Sequence, residues 1–234
     1  MLRVDSLNAF YGDLQAVRNV NLEVKSGEIV ALLGANAAGK STTVKSISGI
    51  IEKMKGEIYF QEEKISNIPA FERVEMGLVQ VPEGRKLFPF LSVRENLEMG
   101  AYTKKARLHV KENLEKVFTL FPKLKEREKQ LAGTMSGGEQ QMCAIARGLM
   151  TMPKLIMLDE PTLGLAPLLV KQIFVTIQDL RQMGMTVLLV EQNVRQSLQI
   201  ADRVYMLSNG KILTSGQSEK LLNSDEIRQG YLGI

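Results

Sequence analysis

Residues 34–41 read Gly34-Ala35-Asn36-Ala37-Ala38-Gly39-Lys40-Ser41. The spacing is G-x-x-x-x-G-K-[ST], and each position has a chemical use. The glycines let the chain turn tightly, so backbone N–H groups converge on a bound phosphate. A helix that starts after Gly39 adds its positive dipole end at the same point. The Lys40 ammonium can reach phosphate oxygens, and the Ser41 hydroxyl is an oxygen ligand for an accompanying Mg2+. Nucleotide binding is the chemistry this loop encodes. On its own it does not separate kinases, GTPases and ATPases, but the sequence contains no N/T-K-x-D element of the guanine-specific type.

A second constellation closes the apolar run Leu155-Ile156-Met157-Leu158 with Asp159-Glu160. A carboxylate at the end of such a strand can hold a metal's water shell, which is the part for Asp159. Its neighbour Glu160 can orient and deprotonate an attacking water, a contribution of about 10²–10⁴ in rate. Without the upstream phosphate loop, this would be no more than a strand ending in solvated acids.

These residues need rigid elements behind them. Residues 2–24 alternate apolar and polar, as in Leu2, Val4, Leu7 and then Val20, Leu22, Val24, which predicts strands. Ile29–Leu33 is a continuous apolar run ending at Gly34, the signature of a buried parallel strand. From Gly39 the period becomes helical, with Val44, Ile47 and Ile51 on one face, and residues 57–65 read as a further strand and turn. After residue 134 strands at 155–158, 187–190 and 204–207 alternate with helices at 141–150, 168–183 and 193–200. This alternation predicts an α/β fold on a mainly parallel sheet. Residues 92–133 interrupt it with charged runs at 104–116 and 123–129 and with Leu108, Leu114, Val117, Leu120 and Phe121 at helical spacing. They read as a helical subdomain inserted between residues 1–91 and 134–234, which form the nucleotide-binding core.

Composition limits the setting. The 234 residues are 44% hydrophobic and 24% charged, ordinary values for a globular chain, with a net charge of +4. Such a mild charge does not by itself point to nucleic acid or to lipid. The lone Cys143 excludes an intramolecular disulfide. No signal-peptide pattern and no apolar run of about 18 residues is visible. The expectation is a cytoplasmic chain, to which another polypeptide supplies any membrane-spanning part.

Met135-Ser136-Gly137-Gly138-Glu139-Gln140-Gln141 lies between the phosphate loop and the carboxylate strand. Ser136, the glycine N–H groups and a following helix would make a second anion site. This heptad resembles the L-S-G-G-Q signature of ABC ATPases, and the resemblance extends over essentially the whole chain. It implies a P-loop ATPase fold with an antiparallel β lobe and an inserted helical subdomain. It implies ATP bound by Gly34, Ala35, Asn36, Ala37, Ala38, Gly39, Lys40, Ser41 and Thr42, with Tyr11 stacked on adenine. It also implies two ATPase domains packed head to tail, so that Ser136, Gly137, Gly138 and Glu139 of one face the ATP of the other.

Departures from the family pattern are specific. Ala37 replaces a usual glycine; at positive φ an alanine costs roughly 1–2 kcal/mol, so an ordinary helical or bridging φ is expected there. The glutamine-loop position falls on Glu83 in Val81-Pro82-Glu83-Gly84-Arg85, counting back from Ser92-Val93, with Gln80 as the alternative. A carboxylate about 4 Å from a phosphate charge costs about 4 kcal/mol at an effective dielectric of 20. Glu83 is therefore expected beside Mg2+, its water or Arg85. The switch histidine is replaced by Gln192, which leaves turnover without a histidine ionisation, and the one histidine, His109, reads as a solvated residue. Ala166 stands where the loop after Glu160 usually carries an aspartate.

Four segments, 81–85, 164–167, 190–193 and 231–233, together resemble the shorter ATPase subunit of branched-chain amino acid importers. That resemblance implies, as partners, a second ATPase chain (identical or different), two membrane permease chains and, indirectly, an external substrate-binding protein, with no nucleic acid. It places the chain on the inner face of the membrane. The permease contact is expected in residues 83–100, with Phe88, Phe90 and Leu91. A urea or amide importer is the close rival. A non-transport ABC ATPase and a P-loop kinase are the readings from other classes.

Overall fold

The structure, a computed structural model, describes residues 1–222; the Tyr231–Gly233 part of the importer resemblance lies outside them. The chain begins with β1 (Leu2–Tyr11), β2 (Leu14–Val24) and β3 (Ile29–Leu33), then α1 (Lys40–Ile47), β4 (Met54–Phe60) and β5 (Glu63–Lys64). α2 (Ala70–Glu75) and β6 (Leu78–Val81) lead into a helical stretch of α3 (Val93–Gly100), α4 (Lys104–Leu108), α5 (Val110–Leu120) and α6 (Pro122–Glu126). Then come α7 (Gly137–Leu149), β7 (Leu155–Asp159), α8 (Pro167–Gln182), β8 (Thr186–Glu191) and α9 (Val194–Ile200). β9 (Arg203–Ser208), β10 (Lys211–Gln217) and α10 (Ser218–Leu222) complete it.

The strands form two sheets. β2-β1-β4-β5 is antiparallel; β10-β9-β3-β8-β7-β6 is parallel except for the β9–β10 hairpin. Every residue of β3, β7 and β8 is buried, as the continuous apolar runs require of strands covered on both faces. The two-residue pleat divides them between cores. Val30, Leu32, Met157 and Val190 pack with α1 and the antiparallel sheet, while Ile156, Leu158, Val187 and Leu189 pack with α3, α5, α7 and α8. This fixes the carboxyl ends of the parallel strands, where the functional residues sit. No described helix is long and apolar enough to cross a membrane.

The helix expected at 141–150 begins earlier, at Gly137. Ser136 is its N-cap, and Ser136 and Glu139 close a reciprocal capping box around the first turn. Arg73 anchors α1 at its other end. Its buried guanidinium donates to the carbonyls of Ser46 and Ile47 at 2.9 and 2.7 Å, and to Ile68 and Ser66 as well. It thereby adds a donor at Ser46, whose carbonyl also accepts from the Gly49 N–H at 3.1 Å, and supplies one to the Ile47 carbonyl near the helix end.

Ala37 departs from expectation. Its φ is +61°, in the left-handed region. The Ala38 N–H bonds to the Ala35 carbonyl at 3.2 Å, closing a four-residue turn with Ala37 in third position. With φ not positive at Asn36 and positive at Ala37, the turn is of type II, whose third position favours glycine. The loop imposes the conformation, and the exposed alanine methyl accommodates it at a cost. Ala37→Gly should therefore raise unfolding stability by about 0.5–1 kcal/mol, the left-handed penalty less glycine's own entropy. Thermal denaturation should show a midpoint about 2 °C higher; an unchanged or lower midpoint would contradict the strain.

Candidate ATP site

The loop after β3 is held on three sides. A Cβ at Gly34 would overlap the Leu207 carbonyl oxygen, so the approach of β3 to β9 admits only glycine there. Gly39, at φ +104°, begins α1 with 3.0 Å between a hypothetical Cβ and the Ala16 carbonyl. Gly210, in the Asn209-Gly210 turn between β9 and β10, donates its N–H to the Ala38 carbonyl at 2.9 Å. Its own carbonyl accepts from the Arg18 N–H at 2.7 Å.

Lys40 is buried, with 3% of its side chain exposed. Its Nζ donates to the carbonyls of Gly34 and Ala35 at 2.8 and 2.9 Å and forms an ion pair with Glu160 Oε1 at 3.0 Å. Ser41 Oγ donates to Asp159 Oδ1 at 3.0 Å. Both sequence constellations therefore meet at one point, β3 and β7 each delivering its part from a carboxyl end. Burial pushes the Asp159 carboxyl above the usual carboxylate range; the Ser41 hydrogen bond opposes this, and the neighbouring charges of Glu83 and Glu160 add to it.

Glu160 has φ +47°, and its N–H bonds to the Val190 carbonyl of β8 at 2.9 Å. Gln192, at the switch position, donates from Nε2 to Glu160 Oε2. The side chain read from sequence as the switch residue thus contacts the carboxylate directly.

These groups open onto a cleft of about 520 Å³, lined by Tyr11, Asn36 to Thr42, Glu83 and Glu160, with Ala16, Arg18, Asn209 and Gly210. This volume suits a small-molecule ligand. Tyr11 stands at its mouth, 48% exposed. Of the two glutamine-loop candidates, Glu83 faces this cleft. Gln80 accepts instead from Ser48 Oγ at 2.7 Å and lines a separate groove. Arg85 donates to Gln140 at 3.3 Å and not to Glu83. Sequence reading missed the part of the β9–β10 turn, although the Asn-Gly pair marked a turn.

Ser136, Gly137, Gly138 and Glu139 are not among the residues lining this cleft. There the Ser136 hydroxyl donates to Glu139 Oε2 at 2.8 Å, and Arg127 pairs with Glu139 Oε1 at 3.1 Å. The fourth residue of the signature is thus engaged with its own loop. Its carboxyl lies below the usual range, the Ser136 bonds and the charges of Arg127 and Lys123 outweighing a desolvation that acts the other way. His109 is exposed beside Glu112, as expected of a solvated residue. Cys143 is buried, its thiol pushed up to about 12 by desolvation.

Comparison with known proteins identifies the family. The ABC transporter family model matches residues 17–163. The branched-chain amino acid transport ATP-binding protein BraG of Pseudomonas aeruginosa is 48% identical, covering all of both chains. The probable branched-chain protein LivF of Archaeoglobus fulgidus is 37% identical, over all of this chain and 99% of its own. The lipopolysaccharide export ATP-binding protein LptB of Haemophilus influenzae is 35% identical, over all of this chain and 97% of its own. Among solved structures, the ADP conformation of the ATP-binding cassette MJ1267 superposes with a TM-score of 0.84 at 29% identity, covering 100% and 99% of the chains. With the phosphate loop, the carboxylate strand and the capped signature helix in one fold, the chain belongs to the ABC transporter family, as one of its ATPases.

Proposed function

We propose that the chain hydrolyses ATP in the cleft between α1 and β7 and thereby drives uptake of branched-chain amino acids through a membrane permease. The observation that carries the chemistry is the buried contact of Lys40 with Glu160, with Gln192 on the other carboxylate oxygen. Lys40 and the loop amides bind the phosphates. Glu160 accepts a proton from water as the water oxygen attacks the terminal phosphorus; the bond to the bridging oxygen breaks, and ADP leaves. Gln192 holds the carboxylate and remains neutral at every pH.

Ser41 and Asp159 fit Mg2+. They are two oxygen ligands already 3.0 Å apart, and no ready-made cluster of three or more acidic, histidine or cysteine ligands exists among the described residues. Mg2+ characteristically takes one or two protein oxygens and completes its shell from phosphate and water. When bound it supplies charge neutralisation at the phosphates, and Glu83 lies on the same cleft to hold its water.

The signature's separation from this cleft supports a pair of ATPase domains, each signature serving the other's ATP. A second groove of about 540 Å³, lined by Ile50, Phe88, Met99 and Tyr102 with Lys45 and Lys86, supports a permease contact. Phe88 is 45% and Phe90 88% exposed, the open apolar surface expected of a partner site. We place the chain as a peripheral subunit on the inner face of the membrane, with a second ATPase subunit, two permease chains and, indirectly, an external binding protein. The substrate assignment rests on the difference between 48% identity to BraG and 35% to LptB.

Glu160→Gln should bind ATP and lose turnover by about 10²–10⁴ while leaving an ATP-stabilised dimer on gel filtration; full ATPase activity would remove Glu160 as the base. Gln192→His should introduce an ionisation between about pH 6 and 8 into the rate profile, whereas the parental profile in that variant would show that the switch side chain does not act on the chemistry. Proteoliposomes holding the assembled complex should take up leucine on addition of ATP; uptake of urea in its place would reassign the substrate.

A further inference from the structure

Among the acids that end the central strands, Asp159 and Glu160 have parts in hydrolysis and Glu191, at the end of β8, has none so far. Glu191 is 3% exposed, and among the described residues no cation pairs with it. Its donors are neutral and come from two loops. Oε1 accepts from the Thr162 N–H at 3.0 Å and the Thr162 hydroxyl at 2.6 Å; Oε2 accepts from the N–H groups of Gln192 at 3.0 Å and Asn193 at 3.4 Å. Thr162 lies two residues after Glu160, and Gln192 is the residue that holds the Glu160 carboxylate.

We propose that Glu191 is a positioning residue for hydrolysis. It joins the loop after β7 to the loop after β8 and so sets Glu160 against Gln192. The inference rests on the reading of Glu160 as base. A carboxylate suits the task because both of its oxygens accept hydrogen bonds, one for each loop. Glutamine has the same shape but one acceptor. Its amide nitrogen would face N–H or O–H donors on one side and leave buried donors without a partner. An apolar residue would leave all four donors unpaired, so the acid is what holds these two loops together.

In the assembled transporter, Glu191→Gln should lower kcat for ATP about tenfold or more with KM for ATP within about twofold, because the phosphate loop and Tyr11, which hold the nucleotide, are not among the segments it joins. Thr162→Val, which loses only the hydroxyl bond, should lower kcat about threefold. The double variant should be no slower than Glu191→Gln, since both changes remove the same link. Parental kcat in Glu191→Gln, or losses that multiply in the double variant, would overturn the proposal. If Glu191→Gln does not fold, Thr162→Val decides alone: a lowered kcat at unchanged KM and melting temperature supports it, and parental kcat overturns it. Glu160→Gln measured alongside reports on the base alone. Retained turnover there defeats the base reading, whereas lost turnover there with parental turnover in Glu191→Gln defeats only the positioning role.

Discussion

A buried ammonium is the constraint around which this site is built. Lys40 lies on the first turn of α1 with almost none of its side chain in contact with solvent, and a lone charge in that position would be costly by several kcal/mol. Three oxygens offset that cost: two carbonyls of the loop that precedes it, and a carboxylate from another strand. The carbonyls oblige the phosphate loop to fold back on its own lysine. The carboxylate obliges β7 to end level with β3, with β8 between them. The same ammonium that orders the site is the group that phosphate oxygens would claim, so structural and chemical demands fall on one atom.

The carboxylates around it are kept distinct by their partners. Asp159 has a hydroxyl partner, and burial raises its carboxyl above the usual range. Glu160 has a cation and an amide, and Glu191 has only neutral donors. The three acids at the ends of two adjacent strands thus differ in their neighbours. Gln192 adds a hydrogen-bond donor beside Glu160 without adding a charge.

Much of this was legible in the sequence. The loop 34–41, the strand 155–160 and the heptad 135–141 each combine residue types with a spacing that geometry makes useful, and the continuous apolar runs identified β3, β7 and β8. What escaped were relations between segments far apart in the chain. Nothing near Gly210 indicates that its N–H will buttress Ala38, and nothing near Glu191 indicates that Thr162 will be its partner. Those contacts arise from which strands become neighbours, a property of topology and not of local pattern. Ala37 escaped for another reason. Residue preference argues against positive φ, but preference is worth about 1–2 kcal/mol, and closure of the loop outweighs it. The capped start of α7 was within reach, since Ser136 and Glu139 have capping-box spacing.

Part of the backbone strain lies where the same topology places the site. Non-glycine residues with positive φ occur after β3 at Ala37, after β6 at Arg85 and Lys86, and after β7 at Glu160. These are the carboxyl ends of parallel strands, and Ala37 and Glu160 line the cleft; Ser6, Asn19, Gln61, Glu62, Met152 and Asn209 also have positive φ, and of these Asn209 reaches the cleft as well. Each such residue costs of order 1–3 kcal/mol. The strands β3, β6 and β7 are buried throughout or nearly so, and each fully buried Val, Leu or Ile contributes about 1.5–3 kcal/mol. A strand of four or five such residues can therefore anchor one strained loop with stability to spare, whereas a mobile surface loop could not. The strained residues Ala37 and Glu160 on the cleft thus follow strands that are buried throughout.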